Sequence, residues 1–219
     1  MASEKNLNAV FSDIANSIRS KKGTTDAIQP INMASEIDSI ETGGGEKSTI
    51  YQTLEAMGND WSDAFYCYGS AHIFQNITTI KDSDIPDASN VVTMYEMFRY
   101  CKKLTSVPFM NTSKLGNASF MFHSCESLTT IPAYDFSNVY NMDGFCLGCN
   151  KLEFIYIKNI KAAFNISNTK LQHDALVELI NNGLSAITNT RTLTMGSSKL
   201  ALLSDSEKQV ALDKGWTLA

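Results

Sequence analysis

The side chains that most often carry chemistry are few in this chain and lie far apart. Cys146 and Cys149 form a CxxC pair, the spacing of a redox dithiol or of one half of a zinc site. No second pair accompanies them, and both occupy apolar positions of the repeat described below. We therefore predict reduced thiols buried in a core. The odd total of five cysteines also argues against a disulfide framework.

Histidines and carboxylates form no clearer motif. Of the three histidines, only His123 has a ligand-type residue at helical spacing, Glu126, so we predict no metal site. The sequence has no nucleophile elbow, no phosphate-binding glycine loop and no HExxH. Acidic pairs such as Asp82 with Asp84 are typical of solvated surface, although a glycosidase pair assembled from distant positions stays open. We expect a protein that is not an enzyme, with no catalytic residues and no cofactor.

Composition narrows the classes of partner. The 219 residues carry a net charge of −5, and no basic run is longer than a pair such as Lys102-Lys103, so we expect no nucleic-acid partner. No apolar stretch approaches the roughly 18 residues that span a bilayer, and the N-terminus lacks the apolar segment of a signal peptide. We expect synthesis in the cytoplasm and no membrane insertion.

The chain from Val91 to Ile157 repeats itself with a step of 24 residues. Three sets of residues fall in phase at this step: Cys101, Cys125 and Cys149; Leu104, Leu128 and Leu152; Val107, Ile131 and Ile155. Such a period, carried by apolar residues, predicts a solenoid in which each coil covers its neighbour. Thr93, Asn117 and Asn141 share a phase and are good N-caps, which predicts a short helix in each coil. The segment Leu104 to Val107 and its counterparts predict a brief strand.

The run SNV…M…MF..C..L..IP resembles the leucine-rich repeat of the BspA-like surface proteins of bacteria and phages. The resemblance covers Asp87 to about Tyr156, and the third unit departs from it at Gly144 to Cys146 and by lacking the proline. It implies an α/β fold, a leucine-rich-repeat solenoid with short parallel strands and short helices, and the pattern of residues 1–41 adds a small α-helical N-terminal module before it. The third repeat is then incomplete.

The remaining sequence divides into an N-terminal module, a linker and two caps. Residues 1–41 carry a helical stripe of Leu7, Val10, Phe11, Ile14 and Ile18, which predicts oligomerisation, docking on a larger partner, or a hairpin folded onto the solenoid. Residues 42–48 are a glycine-rich linker, 49–90 an N-terminal cap with a diverged coil, 91–157 the three repeats, and 158–219 a C-terminal α/β cap. The aromatic residues of 49–90 could instead form a carbohydrate platform, but burial in the cap is favoured.

The C-terminal cap has its own local signals. A helical face runs through Leu171 to Leu184, and Arg191 to Met195 alternates like a strand. A second helix begins at Ser204 or Asp205 and ends at Gly215, before a short edge strand at Trp216 to Leu218.

Between the buried positions of the strands, side chains should point outward and form a recognition surface. The predicted ligand-binding residues are Lys103, Thr105, Ser106, Thr129, Thr130, Tyr134, Glu153 and Tyr156. Phe154 also points outward in this scheme. Hydroxyls, a few charges and aromatic rings suit a polar ligand such as a glycan or a protein loop.

Two further resemblances concern the ends of the chain. The stretch IANSIRSKKGTTDAIQPINMASEIDSI resembles the N-terminal segment of phage tail and fibre proteins, and the ending from Leu193 resembles the closing unit of phage leucine-rich-repeat tail proteins. They imply a virion fibre or tail-associated protein, a homo-oligomer with a trimer as one option. Residues 1–41 would bind another virion structural protein, and the repeats would contact a host-surface glycan or protein. A structural decoration protein and a bacterial protein-interaction module remain as alternatives.

Overall fold

A computed structural model describes residues 48–65 and 76–219. The predicted oligomerisation stripe of Leu7, Val10, Phe11, Ile14 and Ile18 lies outside the described residues, as does all of the predicted linker except Ser48.

The described chain opens with helix α1, Thr49–Met57. The Ser48 hydroxyl caps it by accepting the backbone N–H of Tyr51 at 3.2 Å. Leu54 faces the core and is fully buried. A single 3-10 turn, Asp82–Asp84, precedes the first repeat.

From Asp60 onwards, successive units of chain stack in parallel through their backbones. Parallel bridges join equivalent positions: Asp60 to Thr93, Thr93 to Asn117, and Asn117 to Asn141. The last two steps are the 24 residues expected, whereas the first spans 33. Alternate backbone N–H groups of one unit donate to carbonyls of the next: Met94 to Asn117, Glu96 to Ser119, Phe98 to Met121 and Tyr100 to His123. The same pattern, shifted by 24 residues, joins the second unit to the third.

The prediction of short helices after Thr93, Asn117 and Asn141 is wrong. Each of these side chains accepts the backbone N–H two residues ahead, and the chain then forms consecutive turns. Residues in the left-handed region recur at two phased positions: Glu96, Phe120 and Gly144, then Tyr100, Ser124 and Gly148. A left-handed residue at every fourth position interrupts an α-helix. Alternate N–H groups bond to the carbonyl three residues back within the turn, and the N–H groups between them bond to the adjacent unit.

The face predicted to be buried is nevertheless buried. Met94, Met97, Phe98 and Cys101 are solvent-inaccessible, and so are their phase mates in the second unit. The four described cysteines are free and buried, which confirms the predicted core thiols. Three of these thiols donate to a carbonyl of the preceding unit: Cys101 to Phe65 at 3.0 Å, Cys125 to Phe98 at 3.0 Å and Cys149 to Phe122 at 2.9 Å.

Strands β1, Thr130–Ile131, and β2, Phe154–Ile155, pair in parallel on the opposite side of the units. The equivalent segment at Leu104 to Val107 is not an assigned strand, although Thr105 N–H donates to the Thr78 carbonyl at 2.9 Å. Short extended segments therefore stack along this side from Thr78 to Phe154.

The C-terminal part follows its sequence signals closely. Strands β3, Phe164–Asn165, β4, Arg191–Thr194, and β5, Trp216–Leu218, form a parallel sheet in that order. Between β3 and β4 lie helix α2, His173–Glu178, and a π-helical turn, Leu179–Gly183. Helices α3, Ser197–Leu200, and α4, Asp205–Asp213, lie between β4 and β5. Ser204 and Glu207 form a capping box on α4, as the predicted helix start requires.

Candidate binding surface

The stacked extended segments form a surface that we call the strand ribbon, residues 105–106, 129–130 and 153–156. Its backbone is continuous because Thr129 N–H donates to the Thr105 carbonyl and Glu153 N–H to the Thr129 carbonyl. Ile131 and Ile155 face the core, so the residues on either side of them face outward. The structure thus brings most of the predicted ligand-binding residues onto one face.

Three polar side chains of the first two units already form hydrogen bonds within the protein. The Thr105 hydroxyl donates to the Thr78 carbonyl at 3.0 Å, and the Thr129 hydroxyl to the Thr105 carbonyl at 3.4 Å. Lys103 Nζ donates to Asn76 Oδ1 at 2.8 Å. Ser106 is exposed and Thr130 half-buried. The two threonines therefore keep oxygen lone pairs for a ligand, but their protons hold neighbouring units together.

Tyr134 is not part of this surface, which corrects the prediction. Its ring is fully buried, and its hydroxyl donates to the Pro108 carbonyl at 2.7 Å. Burial raises the pKa of this phenol well above its ordinary value. The Tyr134 ring also stacks on the buried Phe136, with ring centroids 6.4 Å apart.

Exposed aromatic rings concentrate on the third unit of the ribbon. Phe154 is 40% exposed and Tyr156 42% exposed. Their rings are parallel within 1°, with centroids 5.9 Å apart. Phe109 is 63% exposed beside Tyr134, and sequence reasoning missed it because its counterpart in the second unit is Ala133. Lys158 was also missed, although it continues the alternation of exposed residues after Tyr156.

A second polar cluster lies on the turn side of the units. Arg99 bridges two units: its guanidinium pairs with Glu96, and its Nε donates to His123 Nδ1 at 3.2 Å. The guanidinium also lies 5.1 Å from the Phe120 ring centroid. Burial, then the Arg99 charge, lowers the pKa of His123. Glu126 pairs with Lys102 at 2.8 Å, so the predicted His123 and Glu126 have separate partners.

Redox-active thiols have a lowered pKa, whereas the pKa of both CxxC thiols is raised. Burial raises the pKa of Cys146 well above its ordinary value and that of Cys149 to about 12. Cys146 Sγ donates to the Asn165 carbonyl at 3.4 Å, and Cys149 Sγ to Phe122. Among residues 48–65 and 76–219 no three histidine, cysteine or acidic side chains come together as metal ligands.

Within the same described ranges, every helix is too short or too polar to cross a bilayer. The profile of a family described as a Mycoplasma protein of unknown function, DUF285, matches residues 69–177. The match spans 109 of the 219 residues and includes all three repeats. No curated protein and no solved structure matches the chain.

Proposed function

We propose that this chain is a non-enzymatic virion fibre or tail-associated protein, built as a leucine-rich-repeat solenoid that binds a host-surface ligand. The observation that carries the proposal is the strand ribbon: its stacked segments present an exposed parallel pair of aromatic rings, Phe154 and Tyr156, on a backbone bonded from unit to unit. Exposed aromatic pairs on a rigid framework favour recognition, because little conformational entropy is lost on binding.

Attachment to the particle is assigned to residues 1–41. Their apolar stripe and their resemblance to phage fibre N-termini support docking on a virion structural protein and self-association, with a trimer as one arrangement. This module would place the repeat domain at the distal end of the fibre, away from the particle.

The test compares binding of the full chain to bacterial cells before and after changes on the ribbon. We expect Phe154→Ala combined with Tyr156→Ala to reduce cell binding about tenfold or more, since each removes a large contact area. Tyr140→Ala is the matched control, because Tyr140 is 76% exposed but lies over Gly116, outside the ribbon. Equal binding by all variants, to every strain that the wild type binds, would exclude the ribbon as receptor site.

One observation favours the alternative of a decoration protein. The Thr105 and Thr129 hydroxyls donate to the backbone of the preceding unit, so part of the ribbon serves cohesion of the stack. A decoration protein would bind particles through residues 1–41 and stabilise them, while the isolated protein would bind no cell. Particle binding without cell binding would favour this alternative.

A further inference from the structure

The segment 151–170, which ends the third repeat and begins the C-terminal cap, differs in charge from the rest of the chain. Residues 151–170 contain four lysines and one glutamate, a net charge of +3, whereas the whole chain has −5. This positive segment includes Phe154 and Tyr156, the exposed rings of the ribbon. An exposed aromatic pair and a net positive charge therefore coincide on one segment of an otherwise acidic protein.

Burial alternates along this segment, so its exposed groups lie in a row. Ile155 and Ile157 are buried, whereas Phe154, Tyr156 and Lys158 are exposed. Since successive residues of an extended chain point to opposite faces, the two rings and the Lys158 ammonium share the outward face. A ligand that covers the rings at this face also reaches a cation.

Two more lysines flank the other end of the row. Lys151 precedes strand β2. The Lys170 backbone N–H donates to the Leu152 carbonyl at 2.7 Å, which places Lys170 beside the start of this strand. The ammonium groups of Lys151, Lys158 and Lys170 have no ion pair or hydrogen bond with residues 48–65 or 76–219. By contrast, Lys102 pairs with Glu126, and Lys103 bonds Asn76. Lysines without such partners thus lie at both ends of the aromatic pair.

Two acidic residues lie close to this surface. Glu153 is exposed on the same segment, and its carboxylate would repel an anionic ligand. Asp135 bridges to Lys158 through the backbone, and its carboxylate accepts Asn159 Nδ2 and Ser137 N–H at 2.9 and 3.0 Å. These bonds hold the Asp135 carboxylate in place, whereas Glu153 is the exposed acidic group of the segment itself.

We propose that this surface binds an acidic saccharide: a sugar ring contacts Phe154 and Tyr156, and its carboxylate, sulfate or phosphate groups pair with Lys151, Lys158 and Lys170. Flat aromatic rings match the apolar face of a sugar, and the lysines select anionic sugars over neutral ones. The inference rests on the proposed function, since it names the ligand class of the ribbon. A nucleic acid is disfavoured because the positive charge is confined to residues 151–170, a segment too short to follow a continuous phosphate backbone.

The experiment uses the full chain and two matched pairs of saccharides: polygalacturonate with its methyl ester, and sialyllactose with lactose. Binding is measured by calorimetry at 50 and 300 mM NaCl, with single-stranded oligonucleotides as a third arm. We expect at least one acidic member to bind about tenfold more tightly than its neutral partner, and more weakly at high salt. Equal binding within both pairs, no binding to either pair, or tighter binding of the oligonucleotide would overturn the proposal.

Variants assign the binding to this surface. Lys158→Gln and Tyr156→Ala should each lower affinity for the acidic saccharide about tenfold, and Glu153→Gln should raise it severalfold. Lys208→Gln on helix α4 is the charge control and Tyr140→Ala the aromatic control, and both should bind like the wild type. All these side chains are at least partly exposed, so unchanged melting temperatures show that the variants fold. Loss in the controls equal to loss at Lys158 would refute the assignment.

The two proposals fail in different ways. Cell binding that depends on Phe154 and Tyr156 but is unaffected by Lys151→Gln, Lys158→Gln and Lys170→Gln together would keep the receptor function and remove the acidic ligand. Absence of ribbon-dependent cell binding together with saccharide binding at the lysines would keep the saccharide site and remove the host-receptor role.

Discussion

At the scale of single residues, two tyrosines of neighbouring units differ in what their hydroxyls contact. The buried Tyr134 hydroxyl donates to the Pro108 carbonyl, whereas Tyr156 is 42% exposed. Tyr134→Phe leaves that buried carbonyl without its donor, so we expect a loss of about 1–3 kcal/mol in the free energy of unfolding. Tyr156→Phe should change it by about 0.5 kcal/mol or less. Urea denaturation of both variants measures the difference; equal losses would contradict the assignment of Tyr134 to the core.

His123 makes stability depend on pH in a direction that the structure determines. Its Nδ1 accepts a hydrogen bond from the Arg99 Nε–H, so protonation of His123 breaks this bond and places two cations together. Since burial and Arg99 lower its folded pKa, the unfolded chain binds the proton first, below about pH 6.5. The contribution of His123 is therefore present above pH 6.5 and is lost as the pH falls below it.

We expect His123→Gln to reduce the decline in unfolding free energy between pH 7.5 and 5. His173 is the control of opposite sign, because hydrogen bonds to Asp174 and Glu207 raise its pKa. Its contribution is present at low pH and lost as the pH rises through the raised pKa, so His173→Gln should steepen the acid decline. Denaturation curves at the two pH values test both; a steeper decline in His123→Gln would refute the prediction.

Residue burial was largely predictable from the sequence, and side-chain direction after the strands was not. Cys101, Cys125 and Cys149 recur at the apolar phase, so their burial follows from the period alone. Tyr134 shares its phase with the buried Met110 but also with the exposed Lys158, so the period gives no consistent direction there. Its inward rotation depends on the Pro108 carbonyl, a contact 26 residues away that local pattern cannot indicate.

At the scale of elements, the turn segment of each repeat has the same pattern of buried residues as an amphipathic helix. Met94, Met97, Phe98 and Cys101 have the spacing of a helical face and are all buried. Both conformations bring every third or fourth residue to one side, so periodicity cannot separate them. The distinguishing signal was Gly144 and Gly148, two glycines four residues apart at positions where the backbone is left-handed. In the other units nonglycine residues occupy these positions, which hides the signal.

Gly144 provides a test of this turn geometry. Its φ is +60°, and an added Cβ would lie 2.4 Å from the Phe120 ring. We expect Gly144→Ala to cost about 1–2 kcal/mol for the left-handed backbone and about 1–3 kcal/mol more for displacing the ring. Gly58→Ala is the control, since Gly58 has φ +64° and no atom within 4 Å of an added Cβ. Equal costs in thermal unfolding would mean that Phe120 does not lie over Gly144.

The C-terminal elements were predicted better because their signals are local. Ser204 and Glu207 form the capping box that starts α4, and Gly215 follows it at φ +87°. Helix α2 ends earlier than the apolar face suggested, because the chain widens into a π-helical turn from Leu179. This turn presents the Ile180, Asn181 and Leu184 carbonyls to Lys214 Nζ, at 2.6–2.9 Å.

At the scale of the whole molecule, each unit bonds mainly to the units on either side of it. In such a stack stability is a sum of unit terms and interface terms, so a weak central unit uncouples the two ends. The only two tryptophans are Trp61, in the unit that precedes the first repeat, and Trp216, in the last strand, and they report on opposite ends. In the wild type we expect their thermal transitions to coincide.

Leu128→Ala removes a fully buried side chain from the middle unit, at a cost of about 2–5 kcal/mol. We expect the Trp61 and Trp216 transitions to separate in this variant, as followed by fluorescence in Trp61→Phe and Trp216→Phe backgrounds. Leu212→Ala, at a half-exposed position of α4, is the control and should leave them coincident. Coincident transitions in Leu128→Ala would mean that the molecule unfolds as a single unit.

The backbone bonds between units also limit how the chain can change in length. Alternate N–H groups meet carbonyls 23 residues further along, and each phased thiol meets a carbonyl 27 residues back in the 24-residue repeats. Gain or loss of one amino acid inside a repeat would shift all of these partners at once. Duplication or deletion of a complete repeat would preserve them, so natural variation and deliberate engineering should lengthen or shorten this protein in whole-repeat increments.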